Sequence, residues 1–409
     1  MKRMKEAKKL ARKVLLLENV HPGAAAKFRE AGCGVTELAQ GVEEDALCAR
    51  LAGVSIVGIR SKTKITRRVV ERSSSLDAIG AFCIGTDQID LDACTKRGIA
   101  VFNAPYSSTR SVVELILGEI ILLARGVFGK SQKLHRGVWD KSAAGSNEIR
   151  GKKLGIVGYG KIGSQLSVLA ETLGMEVYFC DVEEKLVLGN AKKARSLEQL
   201  LKTADIVSLH VDGRAHNRNL IGKKEFAQMK RGAIFLNASR GFVVDDEALA
   251  DALKSGKLRA AAIDVFPREP RGNSEPFTSP LQGLEQVILT PHVAGSTEEA
   301  QKDIGAFVSE RIIDYLRAGS TLYSVNFPNV QLPEISGGHR LIHIHENIPG
   351  MLAQINEVFA RHKANILGQY LKTAEAIGYS ITDISTAYKP KILEDLKAIP
   401  HTIKFRVLY

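Results

Sequence analysis

Three side chains that together suit the oxidation of a 2-hydroxy acid each come shortly after an apolar, strand-like run: Arg240, Glu269 and His292. A histidine can take a hydroxyl proton, a nearby carboxylate raises its pKa and fixes its tautomer, and an arginine can hold a substrate carboxylate through two parallel hydrogen bonds. Parallel strands end at one sheet edge, beyond which ligands bind, so we expect these side chains to meet there. A lone histidine is usually a capping or core residue, but three such residues at consecutive strand ends favour a catalytic site.

A second motif, Gly158-Tyr159-Gly160-Lys161-Ile162-Gly163, lies between an apolar run and a helix-compatible stretch. Its first glycine permits a tight turn, its second lets backbone N–H groups approach a pyrophosphate, and its third lets the helix pack close to the strand. The helix N-terminus adds partial positive charge near the phosphates. The motif alone is weak, but a further apolar run ends in Asp181 about twenty residues on, which completes the dinucleotide-binding pattern.

The residues around Asp181 bear on the choice of cofactor. Asp181 can accept hydrogen bonds from both ribose hydroxyls of NAD and would repel the 2′-phosphate of NADP. Val182, Glu183 and Glu184 follow it, with no arginine among them to neutralise that phosphate. The sequence therefore predicts NAD as the cofactor.

A basic stretch, Arg60-Ser61-Lys62, follows an earlier apolar run. If these side chains face a ligand cleft, they would hold the anionic tail of a substrate. The alternative is a surface turn with solvated charges. The residues alone leave both interpretations open.

Composition excludes some classes of protein and leaves others open. The chain has 409 residues, 44% of them hydrophobic and 25% charged, which is typical of a globular protein of two or three domains. No apolar run reaches the ~18–20 residues of a membrane span, and the basic start precedes too short an apolar run for a signal peptide. Five cysteines without C-x-x-C spacing predict reduced thiols and a cytoplasmic location.

The net charge of +12 is high for a metabolic enzyme and raises the possibility of nucleic-acid binding. The charges are spread along the chain, however, and no zinc-finger spacing or RNA-recognition signature is present. We expect a basic surface with pockets for anionic ligands, and no nucleic-acid or membrane partner.

Two series of alternating strand-like and helix-like runs predict an α/β protein with two parallel, doubly wound Rossmann-like sheets. The dinucleotide motif opens the second series. A Pro-, Ser- and Gly-containing linker then precedes about seventy residues with the order βαββαβ, which is the ferredoxin-like pattern. This last segment contains no acid–base constellation, so we expect a regulatory or assembly role for it.

With these residues assembled, nearly the whole chain resembles the D-3-phosphoglycerate dehydrogenases, a family of D-isomer-specific 2-hydroxyacid dehydrogenases. The resemblance rests on eight stretches: 85–90, 103–114, 135–139, 154–163, 237–244, 262–270, 276–281 and 290–297. It implies His292 as the acid/base, Glu269 as its partner and Arg240 as the anchor of the substrate carboxylate. The other implied contacts are substrate binding by Arg60, Ser61, Lys62 and, in a neighbouring subunit's site, Lys141, and cofactor binding by Gly158, Gly160, Lys161, Ile162, Gly163, Asp181, Ala238, Ser239, Arg240, Asp264, His292, Ala294 and Gly295.

The C-terminal segment resembles an ACT domain, a small amino-acid-sensing module. By that resemblance His345, Asn347 and, from a facing subunit, Asn365 would bind the effector L-serine. His343 and His345 share one strand face, but no third ligand lies nearby in sequence, so we expect no metal site.

The resemblance also implies a domain plan. The substrate-binding domain would be discontinuous (1–106 and 296–330), with an NAD-binding domain (107–295), a linker (331–338) and an ACT domain (339–409). The chain departs from relatives at Ser108, where many carry asparagine, and in Val211-Asp212-Gly213-Arg214, which lacks a proline after the valine. These changes would affect loop detail and leave the reaction class unaltered.

The expected reaction is oxidation of 3-phospho-D-glycerate to 3-phosphohydroxypyruvate with NAD, the first step of phosphorylated L-serine synthesis, with feedback inhibition by L-serine. A side reduction of 2-oxoglutarate to 2-hydroxyglutarate and assembly into a homotetramer are further expectations from the resemblance. The same catalytic residues would also serve a hydroxypyruvate/glyoxylate reductase or a D-lactate dehydrogenase. A non-catalytic NAD-sensing regulator is the alternative from another class, which an intact acid/base set disfavours.

Overall fold

The computed structural model describes residues 10–270, 275–333, 335, 337–385, 388 and 390–408. The chain forms two compact units. The first contains the residues up to Ser107 and those from Gln301 onward, and the second contains Ser108–Ala300. The C-terminal segment therefore belongs to the same compact unit as the N-terminal sheet.

The first unit contains a parallel five-stranded sheet with the order β2-β1-β3-β4-β5. Its strands are β1 (Lys13–Leu16), β2 (Gly34–Glu37), β3 (Ile56–Ile59), β4 (Ala78–Ala81) and β5 (Ala100–Asn103). The connecting helices are α1 (Pro22–Glu30), α2 (Glu44–Arg50), α3 (Arg67–Arg72) and α4 (Leu91–Lys96). The long helix α11 (Glu298–Ala318) brings the chain back, and its Ile304, Val308 and Ile312 join the core of this sheet.

The second unit contains a parallel seven-stranded sheet with the order β12-β11-β10-β9-β6-β7-β8. Its strands are β6 (Lys153–Val157), β7 (Glu176–Cys180), β8 (Lys192–Lys193), β9 (Ile206–Leu209), β10 (Ala233–Asn237), β11 (Leu258–Ile263) and β12 (Val287–Leu289). Its helices are α5 (Thr109–Arg125), α6 (Val127–His135), α7 (Lys161–Thr172), α8 (Leu197–Thr203), α9 (Lys223–Gln228) and α10 (Asp246–Lys254).

The C-terminal segment is a four-stranded antiparallel sheet with the order β14-β15-β13-β16. Its elements are β13 (His339–Glu346), α12 (Met351–Arg361), β14 (Ile366–Ala374), β15 (Ile377–Ile384), α13 (Lys391–Lys397) and β16 (Thr402–Val407). This is the expected βαββαβ order. The expected fold class, with two parallel sheets and a C-terminal ACT-like sheet, is confirmed.

Local sequence explains where several helices begin. The side chains of Thr66, Asp90, Ser196 and Asp245 each accept a hydrogen bond from the backbone N–H three residues further on. Such N-caps satisfy donors that the first helical turn leaves open. They fix the residues at which α3, α4, α8 and α10 begin.

The C-terminal sheet packs on the end of α11 through polar contacts. The Tyr379 hydroxyl donates to the Gly319 carbonyl at 2.8 Å, and Arg340 Nη1 donates to the Ala318 carbonyl at 3.0 Å. Arg340 also forms two 2.7 Å hydrogen bonds with the Asp383 carboxylate.

Among the helices that the structure describes, none combines the length and the apolar character that a membrane span requires.

Candidate active site and coenzyme site

Strands β10, β11 and β12 lie side by side in the second sheet, and the loops that follow them carry Arg240, Glu269 and His292. The structure therefore brings the three residues to one sheet edge, as the parallel arrangement requires. His292 Nδ1 lies 2.8 Å from Glu269 Oε2. The charge of Arg240 acts on both residues of this pair.

Glu269 and His292 shift each other's pKa values in opposite directions. The hydrogen bond to Glu269 raises the pKa of His292, against the opposing effect of burial. Burial alone would raise the pKa of Glu269, but the hydrogen bond and charge of His292 outweigh it and hold that pKa below its usual value. Glu269 Oε1 also accepts the Phe266 N–H at 3.1 Å, which fixes the carboxylate. Because Nδ1 is engaged by Glu269, Nε2 is the nitrogen available to exchange a proton with a substrate.

Asp264 organises the loop that carries His292. Its carboxylate accepts hydrogen bonds from the Thr290 hydroxyl (2.6 Å), the Val293 N–H (2.8 Å) and the Ala294 N–H (2.9 Å). Its backbone carbonyl accepts the His292 N–H at 2.8 Å. His292 adopts a left-handed backbone with φ of 54°, which is uncommon for a residue other than glycine.

The Arg240 loop and the Glu269 loop touch through their backbones at Gly241. A Cβ on Gly241 would lie 1.9 Å from the Phe266 carbonyl carbon, so only glycine fits there. Arg240 itself is held by the 3.1 Å hydrogen bond from Asn237 Nδ2 to its carbonyl, and its Nη1 donates to the Ser239 carbonyl at 2.8 Å.

The turn between β6 and α7 has the geometry that a dinucleotide requires. Gly158 has a φ of 92°, and a Cβ there would lie 2.5 Å from the His210 carbonyl oxygen. A Cβ on Gly163 would lie 2.2 Å from the Gly158 carbonyl oxygen. Gly160 faces open space and offers no side chain to cap α7, so the first N–H groups of that helix are available to a phosphate. The residues present therefore fit NAD, with Lys161 and Ile162 in the first turn of the helix.

The other expected cofactor residues lie on the same sheet edge. Asp181 follows β7, and its Oδ2 accepts the Tyr159 N–H at 2.7 Å. Ala238 and Ser239 follow β10, where the Ser239 hydroxyl donates to Asn237 Oδ1 at 2.8 Å. A Cβ on Gly295 would lie 3.2 Å from the hydroxyl oxygen of Ser108, one of the departures from the relatives, so the two residues pack closely.

The basic stretch Arg60-Ser61-Lys62 follows β3 in the first unit, and with Thr63 we call it the anion loop (residues 60–63). Glu18, missed by sequence reasoning, fixes this loop. Its carboxylate accepts the Lys62 N–H at 2.9 Å and the Thr63 N–H at 2.7 Å, and its backbone has a left-handed φ of 63°. Gln88 Nε2 donates to the Arg60 carbonyl at 2.6 Å. The separation of 44 positions between Glu18 and Lys62 hides this contact from any local pattern.

Lys141 lies in the second unit in the loop after α6, beside the highly exposed Trp139. None of the contacts described for Arg240, Glu269 or His292 involves Lys141. Its expected role in a neighbouring subunit's site stays a prediction.

The expected effector residues lie in the C-terminal sheet. His345 is buried; its Nδ1 lies 2.7 Å from the Glu346 carbonyl oxygen, and its Nε2 has no hydrogen-bond partner among the described residues. Asn347 Nδ2 donates to the Glu375 carbonyl at 3.1 Å, and Asn365 is exposed. Burial lowers the pKa of the neighbouring His343 to about 4. Within the described part of the chain, no group of three metal-binding side chains is present.

Two family models match the chain. The NAD-binding domain of the D-isomer specific 2-hydroxyacid dehydrogenases matches residues 117–294, and the AHAS small subunit-like ACT domain matches residues 341–404. The chain is 52% identical over 398 residues to D-3-phosphoglycerate dehydrogenase of Haemophilus influenzae, with 97% of both chains covered. The chain belongs to the D-3-phosphoglycerate dehydrogenase family. It is therefore an NAD-dependent oxidoreductase.

The chain is also similar to another D-3-phosphoglycerate dehydrogenase and, in fold, to more distant proteins of solved structure. The enzyme of Escherichia coli is 52% identical over 400 residues, with 97% of both chains covered. A Thermus thermophilus protein of solved structure has a TM-score of 0.71 at 29% identity, covering 76% of this chain and 99% of its own. D-Lactate dehydrogenase from Aquifex aeolicus, solved with NAD and lactic acid, shares the fold with a TM-score of 0.69 at 24% identity, covering 77% of this chain and all of its own.

Proposed function

We propose that this chain oxidises 3-phospho-D-glycerate to 3-phosphohydroxypyruvate, the first step of phosphorylated L-serine synthesis. The observation that carries the proposal is the 2.8 Å pair of His292 and Glu269 beside Arg240, in a chain of this family that also has a fixed basic anion loop. The substrate requires all of these groups, because it has a hydroxyl to deprotonate, a carboxylate to anchor and a phosphate to bind.

NAD, when bound, supplies the acceptor for the hydride that leaves the substrate carbon. His292 takes the hydroxyl proton at Nε2, and Glu269 stabilises the imidazolium that forms. Arg240 holds the substrate carboxylate and polarises the developing carbonyl. Asp264 keeps the His292 loop in place through its three accepted hydrogen bonds.

Arg60, Ser61 and Lys62 would bind the phosphate of the substrate. The loop is suited to this role because Glu18 and Gln88 fix its backbone through hydrogen bonds and leave the basic side chains for a ligand. The same basic loop would bind the distal carboxylate of 2-oxoglutarate, so we include reduction of that acid to 2-hydroxyglutarate as a side activity.

The test is steady-state formation of NADH with 3-phosphoglycerate and with D-lactate, for the native chain and for Arg60→Ala. We expect the KM for 3-phosphoglycerate to rise about 10–100-fold in the variant, since a charge-assisted pair is lost, with little change for lactate. Lys64→Ala is the matched control, because Lys64 is an exposed cation just outside the loop. Equal effects of the two substitutions, or faster turnover of lactate by the native chain, would refute the assignment.

We also propose that the C-terminal domain binds L-serine and inhibits the enzyme. Support comes from the buried, unpartnered Nε2 of His345, because such an atom is costly to leave unsatisfied and fits a polar ligand. Asn365 would complete the site from a facing subunit, which requires at least a dimer and agrees with the homotetramer expected for the family.

Calorimetric titration with L-serine, together with NADH formation, tests the effector site. Asn347→Ala should abolish both serine binding and inhibition while leaving uninhibited kcat within about twofold. Glu357→Gln, on the exposed face of α12, is the control and should behave like the native chain. Serine binding that survives in Asn347→Ala would place the effector elsewhere.

A further inference from the structure

Asp181 and four other charged side chains form a cluster at the coenzyme edge of the second sheet. Glu183 and Lys185 lie in the loop after β7, while Asp212 and Arg214 lie in the loop after β9. These two strands flank β6, which carries the dinucleotide turn, so both loops leave the same sheet edge beside it. No arginine directly follows Asp181 in the sequence, but the fold brings Arg214 near it from the loop after β9.

Asp181 is held rigidly in this cluster. Its Oδ2 accepts the Tyr159 N–H at 2.7 Å, and its Oδ1 accepts the Glu183 N–H at 2.8 Å. The dinucleotide-binding pattern predicts that this carboxylate receives the adenosine ribose of NAD, and the inference below rests on that placement. NADP differs by a phosphate in place of one ribose hydroxyl, so that phosphate would come to the same position.

Two cations lie within electrostatic reach of Asp181. Hydrogen bonding to Glu183 and the charge of Asp181 raise the pKa of Lys185. Hydrogen bonding to Asp212, followed by the charges of Glu183 and Asp181, raises the pKa of Arg214. An ammonium and a guanidinium are the groups that proteins use to bind a ribose phosphate.

Both cations are already paired with acids. Lys185 Nζ donates to the Glu183 carboxylate, whose other oxygen lies 4.0 Å from Arg214 Nη2. Arg214 Nε donates to Asp212 Oδ2 at 2.6 Å, and Asn217 Nδ2 holds the other oxygen of Asp212 at 2.9 Å. The cluster thus contains three carboxylates and two cations, and its net charge is negative.

We propose that Glu183 is a second cofactor-specificity residue, which keeps Lys185 and Arg214 from binding the phosphate that distinguishes NADP from NAD. Glu183 is the carboxylate that lies near both cations: it pairs directly with Lys185 and lies 4.0 Å from Arg214, whose closer partner is Asp212. Asp181 would repel the phosphate of NADP directly. Glu183 would weaken phosphate binding indirectly, because its negative charge offsets the positive charges of Lys185 and Arg214.

The chain offers a matched control in the next residue. Glu184 lies in the same loop and pairs with Lys193 of β8 at 2.7 Å, without contact to Lys185 or Arg214 among the described ion pairs. Glu183 and Glu184 are both exposed, and exposed ion pairs contribute little to stability. Both variants should therefore fold normally. Glu183→Gln removes a negative charge near Lys185 and Arg214, whereas Glu184→Gln removes one near Lys193.

The experiment measures the dissociation constants of NADH and NADPH by nicotinamide fluorescence in the full chain. Six proteins are compared: the native chain, Glu183→Gln, Asp181→Asn, and the Asp181→Asn chain with Glu183→Gln, with Glu184→Gln, or with both Glu183→Gln and Arg214→Gln. We expect Asp181→Asn to weaken NADH binding about tenfold, through loss of the ribose hydrogen bonds. Adding Glu183→Gln should tighten NADPH binding about tenfold and leave NADH within about twofold.

Two further outcomes follow from the charges. In the Asp181→Asn chain, Glu184→Gln should leave the affinity for both cofactors unchanged, and Arg214→Gln should remove most of the gain in NADPH affinity. The gain should also shrink at high salt, because the charges are exposed. Equal effects of Glu183→Gln and Glu184→Gln, or a gain that survives Arg214→Gln, would overturn the proposal. NADH binding that is insensitive to Asp181→Asn would instead overturn the cofactor placement on which the proposal rests.

Discussion

Glu119 is a carboxyl group buried in the core of the second unit. It lies on α5, is 3% exposed, and its Oε1 has no hydrogen-bond partner among the described residues. Burial, and then the charge of Asp264, raise the pKa of Glu119 from its ordinary value of 4.5 to about 8. Glu119 is therefore protonated in the folded protein at neutral pH, within electrostatic reach of the residue that organises the His292 loop.

Because the folded chain holds this proton more tightly than the unfolded chain, the free energy of unfolding depends on pH. The unfolded chain releases it near pH 4.5 and the folded chain near pH 8, so the folded state binds more protons between these values. The stability contribution is fully present below about pH 4.5 and is lost as pH rises toward 8. Since each tenfold difference in proton affinity is worth about 1.4 kcal/mol, the total loss is roughly 4–5 kcal/mol.

Glu119→Gln replaces the carboxyl with a neutral group of the same shape. The variant therefore does not lose stability through this group as the pH rises. We expect its free energy of unfolding to be close to that of the native chain near pH 5 and to exceed it by about 3–5 kcal/mol near pH 8.5. Urea unfolding midpoints, compared at equal pH and protein concentration without cofactor, measure the difference. Glu114→Gln is the control, because Glu114 lies on the same helix, exposed and paired with Arg110.

A stability difference that stays constant between pH 5 and 8.5 would show that Glu119 does not hold a proton in the folded state. A difference that grows toward acid pH would show that the carboxylate is stabilised by a cation, which is the opposite of the reasoning above. In Glu114→Gln the free energy of unfolding should stay within about 0.5 kcal/mol of the native chain at every pH.

Three other substitutions test the site and the fold. Glu269→Gln replaces the charge-assisted hydrogen bond that raises the pKa of His292 with one to a neutral amide oxygen, so the acidic limb of the kcat/KM profile should move to lower pH while kcat falls about 10–100-fold; an unmoved limb contradicts the pairing. Glu18→Gln can accept only one of the two N–H groups of the anion loop, so the KM for 3-phosphoglycerate should rise about tenfold with NADH affinity unchanged; a loss of NADH affinity would argue against a local effect. Arg340→Met leaves Asp383 buried without its partner, and unfolding midpoints should show a loss of about 3–5 kcal/mol that Asp383→Asn in the same chain partly restores.

Part of the site could be predicted from the sequence because its geometry follows from sheet topology. Arg240, Glu269 and His292 follow strands that are consecutive in the chain and adjacent in the sheet, so an expectation about strand ends was enough. The dinucleotide turn was equally accessible, since each glycine of the motif has a steric reason within a few residues. Their roles in catalysis and binding remain predictions that the experiments above address.

Contacts between distant segments could not be read from local patterns. Glu18 reaches the anion loop across more than forty residues, and Arg214 approaches Asp181 from a different strand. The edge strand β2 gives no apolar signal in the sequence, because its residues are largely exposed. In the same way, the hydrogen bonds from Tyr379 and Arg340 to the carbonyls at the end of α11 are made by single polar side chains that no periodicity reveals.

The contact at Gly241 limits how the enzyme can change its substrate. Because the backbone of Gly241 leaves no room even for a methyl group against Phe266, an insertion or shift in either of the two loops displaces the other. The loops that carry Arg240 and Glu269 are therefore mechanically coupled. Substitutions that adapt the enzyme to another hydroxy acid can alter the anion loop, which takes no part in the Gly241 contact, and leave the loops of Arg240 and Glu269 unchanged.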